Sequence, residues 1–238
     1  SCTAPPAPND YMELGNQAEF LGVMSGVEML AMYFIHDGGD TSKWRLKGHG
    51  EGRFWEWLST WAMVVKRPSD IGFSDEGYDL PPLLFHEHVV ESPTPDGMLF
   101  PDVASRLLDR NRARKESVDS RVAKCAEIVN GHDRQSIVWC HLNDESAKLT
   151  AAIDGAVEVK GADSIDEKES RISAFINGDV RVLISKPKIA GFGLNLQHVH
   201  DMAFVGLSDS WEQFYQAVRR CWRFGQTNEV DVHIISAQ

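Results

Sequence analysis

Residues 201–235 read DMAFVGLSDSWEQFYQAVRRCWRFGQTNEVDVHII. The run Asp201-Met-Ala-Phe-Val205 is short and almost wholly apolar, as expected of a strand buried on both faces. A helix follows, opened by Ser210-x-x-Gln213, and Val230-Asp-Val-His-Ile-Ile235 reads as a second strand. Strand, helix, strand with short connections makes the two strands parallel neighbours in a sheet covered by a helix.

The alternation continues upstream. Ser136–Leu142 reads as a buried strand and Glu145–Ile153 as a helix, then Val157-Glu-Val159 as a short strand. Ser164-x-x-Glu167 is a capping box that opens a helix with apolar positions at Ile165, Ile172, Phe175 and Ile176. Val180-Arg-Val-Leu-Ile184 is the next strand. The expected fold class is α/β, a parallel sheet with helices on both faces, occupying residues 101–238.

Residues 1–100 have another character. Positions 1–20 open with a Pro-rich loop, and 21–100 are acidic, aromatic and mainly helical in pattern. Four of the seven tryptophans, Trp44, Trp55, Trp57 and Trp61, fall there. Phe54, Trp57, Leu58 and Trp61 recur at helical spacing, as expected of a helix turning an aromatic face into a local core. Stacking on bases would call for a basic groove beside these rings. Pro81-Pro82 and Ser92–Gly97 punctuate the chain as a linker.

Composition excludes several classes. With 42% hydrophobic and 25% charged residues over 238 positions, the chain can bury a core without disulfide or metal staples. It has no apolar run of about 18 residues, so no membrane span is expected. Cys2, Cys125, Cys140 and Cys221 lie far apart, a pattern of reduced thiols in a cytoplasmic protein. Ser1–Pro6 shows neither the basic nor the apolar region of a secretory signal, and the opening on Ser1 reads as a fragment. The net charge of −11 argues against a nonspecific basic coat for nucleic acid. Residues 1–100 carry −9 and 131–170 carry −5, whereas 101–130 (+2) and 171–238 (+1) are net basic. A polyanion would be expected on those two stretches; solvated helix faces would look the same.

Two elements could carry chemistry. On a helix from about 210 to 223, Trp211, Phe214, Tyr215, Val218 and Trp222 share one side, and Gln216, Arg220 and Arg223 cluster opposite them. Two guanidinium groups with a glutamine one turn earlier suit a triphosphate, because guanidinium forks onto phosphate oxygens and keeps its charge. Periodicity alone favours a solvated basic face over that reading. The second element is Lys186-Pro-Lys-Ile-Ala-Gly191-Phe-Gly193-Leu-Asn195-Leu196, just after a strand, where glycines let backbone N–H groups approach a ligand. It fails as a dinucleotide fingerprint, since the third glycine is missing.

The order of these elements resembles the second RecA-like lobe (P-loop NTPase type) of superfamily-two helicases, closest to the Swi/Snf-like branch and its phage and prophage members. Gly191-Phe-Gly-Leu-Asn-Leu196 resembles motif V, and Gln216-Ala-Val-Arg-Arg-Cys-Trp-Arg-Phe-Gly-Gln226 resembles motif VI. Ser136–Leu142 stands where motif IV belongs, and Arg171 and Phe175 match the helix between motifs IV and V. Thr3–Asp10 resembles motif III of the first lobe, with Pro5 where a small hydroxyl residue is usual. The resemblance divides the chain into a first-lobe remnant (1–20), an acidic aromatic insertion (21–100) and the second lobe (101–238).

What the resemblance implies is a DNA-dependent ATPase of the helicase or translocase type, in a bacterial or phage-infected cell. Arg220 and Arg223 would be arginine fingers. Gln216, Gly191, Gly193 and Asn195 would shape the face toward the first lobe, and Lys186 and Lys188 would touch the DNA backbone, with RNA left open. ATP and Mg²⁺ would be held mainly by the first lobe, because this chain has no G-x-x-x-x-G-K-[ST] loop and no acidic magnesium motif. Alone it is expected to be inactive. A non-catalytic binding module on the same fold is the alternative. A small-molecule enzyme on a Rossmann-like sheet lacks the acidic residue that reading requires.

Three further groups stay outside this reading. His86-Glu-His88 and His198-Val-His200 each offer two nitrogens but no third ligand nearby, so surface or core histidines are expected. Cys140 and His141 are strand neighbours whose side chains should point to opposite faces. Arg106, Arg110, Arg112, Arg114, Lys115 and Arg121 read as a solvated helix, or as a DNA contact.

Overall fold

The computed structural model describes residues 7, 10–37, 40–91, 114–190, 194–207 and 210–237. They fall into two compact units, Ser1–Asp75 and Glu76–Gln238. Most of the motif III region (residues 3–6, 8 and 9), Gly191, Gly193, Arg106, Arg110 and Arg112 lie outside the described residues.

The first unit contains α1 (Leu14–Phe20), α2 (Gly26–Tyr33), an antiparallel hairpin of β1 (Phe34–Asp37) and β2 (Asp40–Leu46), and α3 (Glu51–Ser59). Ser25 caps α2 reciprocally: its hydroxyl accepts from the Glu28 amide, and the Glu28 carboxylate accepts from the Ser25 amide at 3.0 Å. The aromatic stripe of α3 does make a local core. Phe54 is fully buried with its ring 5.4 Å from Tyr33, Trp57 stacks on Tyr33 at 5.3 Å, and Trp61 meets Trp57 edge-on at 5.2 Å. The hairpin departs from the mainly helical expectation; Phe34 pairs with Leu46 across it and joins the same core.

The second unit is a six-stranded sheet of β3 (Leu83–Val90), β4 (Ser136–Trp139), β5 (Ala156–Val159), β6 (Val182–Ser185), β7 (Asp201–Val205) and β8 (Val230–Ala237). Its order is β3-β8-β7-β4-β6-β5, and every neighbouring pair is parallel. All residues of β4, β6 and β7 are buried, which is why these strands read as apolar runs instead of alternating ones.

Helices α4 (Val118–Asn130) and α5 (Asn143–Ala152) cover one face, where Val122, Cys125, Val129 and Leu149 pack on Val138, Ile184, Ala203 and Val205. Helices α6 (Ile165–Ile176) and α8 (Trp211–Cys221) cover the other, where Phe175, Ala217, Val218 and Cys221 pack on Ile137, Leu183, Met202 and Val232. Each Val, Leu or Ile fully withdrawn from water contributes about 1.5–3 kcal/mol, so the two layers are what hold the sheet. The box at Ser164 forms as expected, with the Glu167 carboxylate accepting from the Ser164 amide at 2.8 Å.

Strand β3 lies in the stretch read as helical insertion and linker. Pro81-Pro82 ends any helix there, and Leu83–Val90 instead pair with Val230–Ala237 in one continuous register. Element ends also shift. Strand β4 stops at Trp139 and α5 starts at Asn143, because the Glu145 carboxylate accepts the amides of His141 and Leu142 and starts the helix early. Cys140 and His141 thus follow the strand. Helix α8 ends at Cys221, two residues short of Arg223.

Candidate nucleotide and nucleic-acid site

Helix α8 begins where the Ser210 hydroxyl accepts from the Gln213 amide. Its buried stripe is Ala217, Val218 and Cys221, with Phe214 packed against the same core. That fixes the rotation of the helix and leaves Gln216 and Arg220 only partly covered. Gln216 donates to the Glu212 carboxylate at 2.9 Å. Arg219 lies over the Trp222 ring, 5.1 Å from its centroid, and so has a partner of its own. Both Arg219 and Arg220 sit in the last turn, where the helix dipole favours positive charge.

Arg220 differs from its neighbour. Its Nε atom is buried and meets no hydrogen-bond acceptor among the described residues. Burial, with the Arg223 charge beside it, draws its pKa below the usual guanidinium value. Arg223 sits just beyond the helix, and its guanidinium reaches the Leu194 carbonyl only at 3.5 Å. No carboxylate among the described residues pairs with either arginine, so two like charges are held together with capacity to spare for an anion.

The turn after the arginines is built to hold its shape. Gly225 adopts φ +91, and a Cβ there would lie 2.8 Å from Gln197 Oε1. Gln226 is buried; its amide nitrogen donates to the carbonyls of Val199 and Cys221, and its oxygen accepts from the amides of Thr227 and Asn228. The Gly-Gln pair that closes the motif VI resemblance therefore shapes the turn. Asn195 is exposed and accepts the Gln197 amide at 3.4 Å, a local turn contact.

A second feature lies where β4, β5 and β6 end. Asn143, Ser146, Glu158, Lys160, Gly161 and Lys186 line a pocket of about 450 Å³. Lys186 Nζ lies 2.6 Å from Asn143 Oδ1, and Lys160 Nζ lies 3.0 Å from Glu158 Oε2. Arg171 holds the loop over it, donating to the Glu158 carbonyl at 2.8 Å and the Asp163 carboxylate at 2.7 Å. Lys188 is exposed on the short α7 (Pro187–Ala190) nearby. Ligands of parallel sheets bind beyond the carboxyl ends of the strands, which is where this pocket sits.

Sequence reasoning missed two things here. Arg121, taken for a solvated cation, is 1% exposed and ion-paired with Glu145. His86 and His88, expected to be surface or core histidines, face β8: His86 Nε2 lies 2.8 Å from Asp231 Oδ1, and His88 Nε2 lies 3.1 Å from His233 Nδ1. Their i, i+2 spacing on a strand was the available signal; the partner strand was not. His198 lies in a loop with its ring 6.1 Å from that of Phe175. Among the described residues no group of three or more His, Cys, Asp or Glu side chains is placed to hold a metal ion, and no helix is long and apolar enough to cross a membrane.

Residues 120–225 match the helicase conserved C-terminal domain. This span contains Lys186, Lys188, Asn195, Gln216, Arg220 and Arg223, and the parallel sheet with its two helical layers is an α/β fold. No curated protein matches the chain. Among solved structures it is similar to the C-terminal part of the Fun30 ATPase domain, with 18% identity and a TM-score of 0.44, over 52% of this chain and 42% of that one. It is likewise similar to a DEAD box protein from the hyperthermophile Methanococcus jannaschii, with 16% identity and a TM-score of 0.44, over 50% of this chain and 33% of that one. The chain spans less than half the length of either.

Proposed function

We propose that this chain supplies the second lobe of a DNA-dependent ATPase of the helicase or translocase type, with Arg220 and Arg223 as its arginine fingers. The observation that carries the reading is the Arg220–Arg223 pair, held without a carboxylate among the described residues, inside the stretch that matches a helicase domain. When ATP is bound by a first lobe, the two guanidinium groups stabilise charge on the equatorial oxygens as the γ-phosphoryl group departs. A finger of this kind is worth on the order of 10³–10⁵ in rate in GTPases. Magnesium ion, held by that other lobe, would neutralise charge on the same phosphates.

Gln216, Gly191, Gly193 and Asn195 form the face toward the nucleotide-binding lobe in this reading. Lys186 and Lys188 contact the backbone of the nucleic acid, since phosphate contacts position a protein without reading sequence. The Swi/Snf-like branch and a phage or prophage origin rest on the motif V and motif VI resemblance. The 238 residues alone are expected not to turn over ATP, because no phosphate-cradling G-x-x-x-x-G-K-[ST] loop occurs in them.

The test is ATP hydrolysis by the native gene product, with and without nucleic acid. Turnover that rises on adding DNA supports the reading. No turnover with either DNA or RNA overturns it in favour of a binding module; stimulation by RNA alone keeps the ATPase and replaces the partner.

A further inference from the structure

Arg121 belongs to a basic run, yet its side chain lies in the interior, on the inner face of α4. Its Nη1 lies 2.6 Å from Glu145 Oε1, and Glu145 is buried as well. Its Nε donates to the Ser117 hydroxyl at 3.1 Å, and its Nη2 donates to the Arg114 carbonyl. Gly206, at the end of β7, adopts φ +74, and a Cβ there would stand 2.7 Å from Arg121 Nη1. The chain is thus shaped to admit this guanidinium.

A buried ion pair is not in itself a reason for stability, because apolar residues of the same volume often do as well. What the pair provides here is a carboxylate fixed in place. The second oxygen of Glu145 accepts the amides of His141 and Leu142, both at 2.9 Å. Those residues form the turn from β4 into α5. The next residue, Asn143, holds Lys186 at 2.6 Å on the wall of the pocket. A path of polar contacts, joined by the peptide link from Leu142 to Asn143, therefore runs from Arg121 through Glu145 and the 141–142 turn to Lys186.

We propose that Arg121 is a positioning residue: by holding the Glu145 carboxylate against the 141–142 turn, it places Asn143 and so aims Lys186 at a nucleic-acid phosphate. This rests on the reading of Lys186 given under Proposed function. Without Arg121 the buried carboxylate has no charge partner and leaves the turn for water, and Lys186 loses its fixed neighbour. Arg121 itself never touches the nucleic acid.

The test uses the native gene product and a single-stranded oligonucleotide, with affinity measured over a series of salt concentrations. Each phosphate contact on a single strand contributes about 0.7 to the slope of log K against log salt. Lys186→Ala should lower the slope by about that amount. Arg121→Met should lower it equally, and should add nothing in the Lys186→Ala background. Amide exchange at His141 and Leu142 should quicken at least about tenfold in Arg121→Met, an opening cost of roughly 1.4 kcal/mol. The neutral pair Arg121→Met/Glu145→Gln should recover both protection and slope, since an uncharged amide oxygen can stay on the turn.

A merely structural role would leave that pair as impaired as the single variant. Unchanged exchange and slope in Arg121→Met, or losses that add to those of Lys186→Ala, overturn the proposal alone. If Arg121→Met does not fold, the neutral pair decides: the parental slope supports the proposal, and a folded pair with the lowered slope overturns it. No slope change in Lys186→Ala overturns Lys186 as the contact, and with it the reading on which the proposal stands.

Discussion

The amide of Leu196 donates to the carbonyl oxygen of Arg220 at 3.0 Å. The segment that follows the glycine-rich stretch and the last turn of α8 are thereby fixed to each other through backbone alone. The position of Arg220 thus depends on how Leu196 is seated, and Leu196 is fully buried among the residues under α8. Leu196→Ala is expected to cost about 2–5 kcal/mol, the usual range for a large-to-small change in a packed core. Denaturant unfolding reads this directly, and a loss under about 1 kcal/mol would contradict the packing described.

Gly225 turns the chain two residues after Arg223. Its φ of +91 is strained for any residue with a Cβ, and the added atom would also crowd the Gln197 side chain at 2.8 Å. Gln197 can swing aside, so the backbone conformation sets most of the penalty. Gly225→Ala should lower stability by about 1–3 kcal/mol. Thermal unfolding at fixed protein concentration checks it; an unchanged midpoint would mean the turn has another conformation.

The seam between β3 and β8 makes the second unit sensitive to acid. Burial lowers the pKa of His88, with His233, Lys124 and His86 adding to the effect and Glu127 opposing it. Burial lowers that of His132 as well, against the pull of Asp201. A histidine depressed in the folded state binds its proton more readily when unfolded, so stability falls as pH drops below about 6.5 toward the folded values.

The carboxylates act lower on the scale. Burial alone would raise Asp201, but His233, Ser136, His132 and Arg134 outweigh it, and its pKa lies below 3.8. Asp231 is also lowered, by His86 and Arg134 against its own burial. Their contribution is complete above the unfolded carboxylate value and is lost only as pH falls through the folded ones. Denaturation midpoints from pH 8 to pH 3 should therefore fall in two stages, and a flat profile between pH 7 and pH 5 would rule out the histidine part.

The three described thiols should be inert in the folded protein. Burial pushes Cys140 up to about 11 and drives Cys125 and Cys221 higher still, so little thiolate exists at neutral pH and none of it is accessible. Peptide mapping after treatment with a thiol reagent should find these three unmodified until denaturant is added. Modification of Cys221 in the native protein would mean that the packing under α8 opens readily.

The order of elements from β4 to β8 was legible because buried parallel strands and capped helices leave strong local marks, such as Val182–Ser185 and Ser164 with Glu167. The apolar side read for α8 is only partly the buried one, since Trp211 is exposed and the stripe that packs is Ala217, Val218 and Cys221. What local pattern could not carry was pairing across distance. Leu83–Val90 gives no clean alternation, and it becomes a strand because Val230–Ala237 lies beside it. Arg121 has the neighbours of a surface helix in sequence; only Glu145, brought over by the packing of α4 and α5, makes it an interior residue. Periodicity put Arg220 and Arg223 on one helix, whereas α8 ends at Cys221 and Arg223 lies in the turn that leads to Gly225 at φ +91.

The central claim is that Arg220 and Arg223 act on the transition state of ATP hydrolysis rather than on ATP itself. The measurement is nucleic-acid-stimulated turnover of the native gene product beside its affinity for a nonhydrolysable ATP analogue, for Arg220→Ala and Arg223→Ala separately. The account predicts that turnover falls by about 10³-fold or more in each variant while affinity changes by less than about tenfold. Equal losses of turnover and affinity, or variants that hydrolyse ATP as fast as the parent, would contradict it.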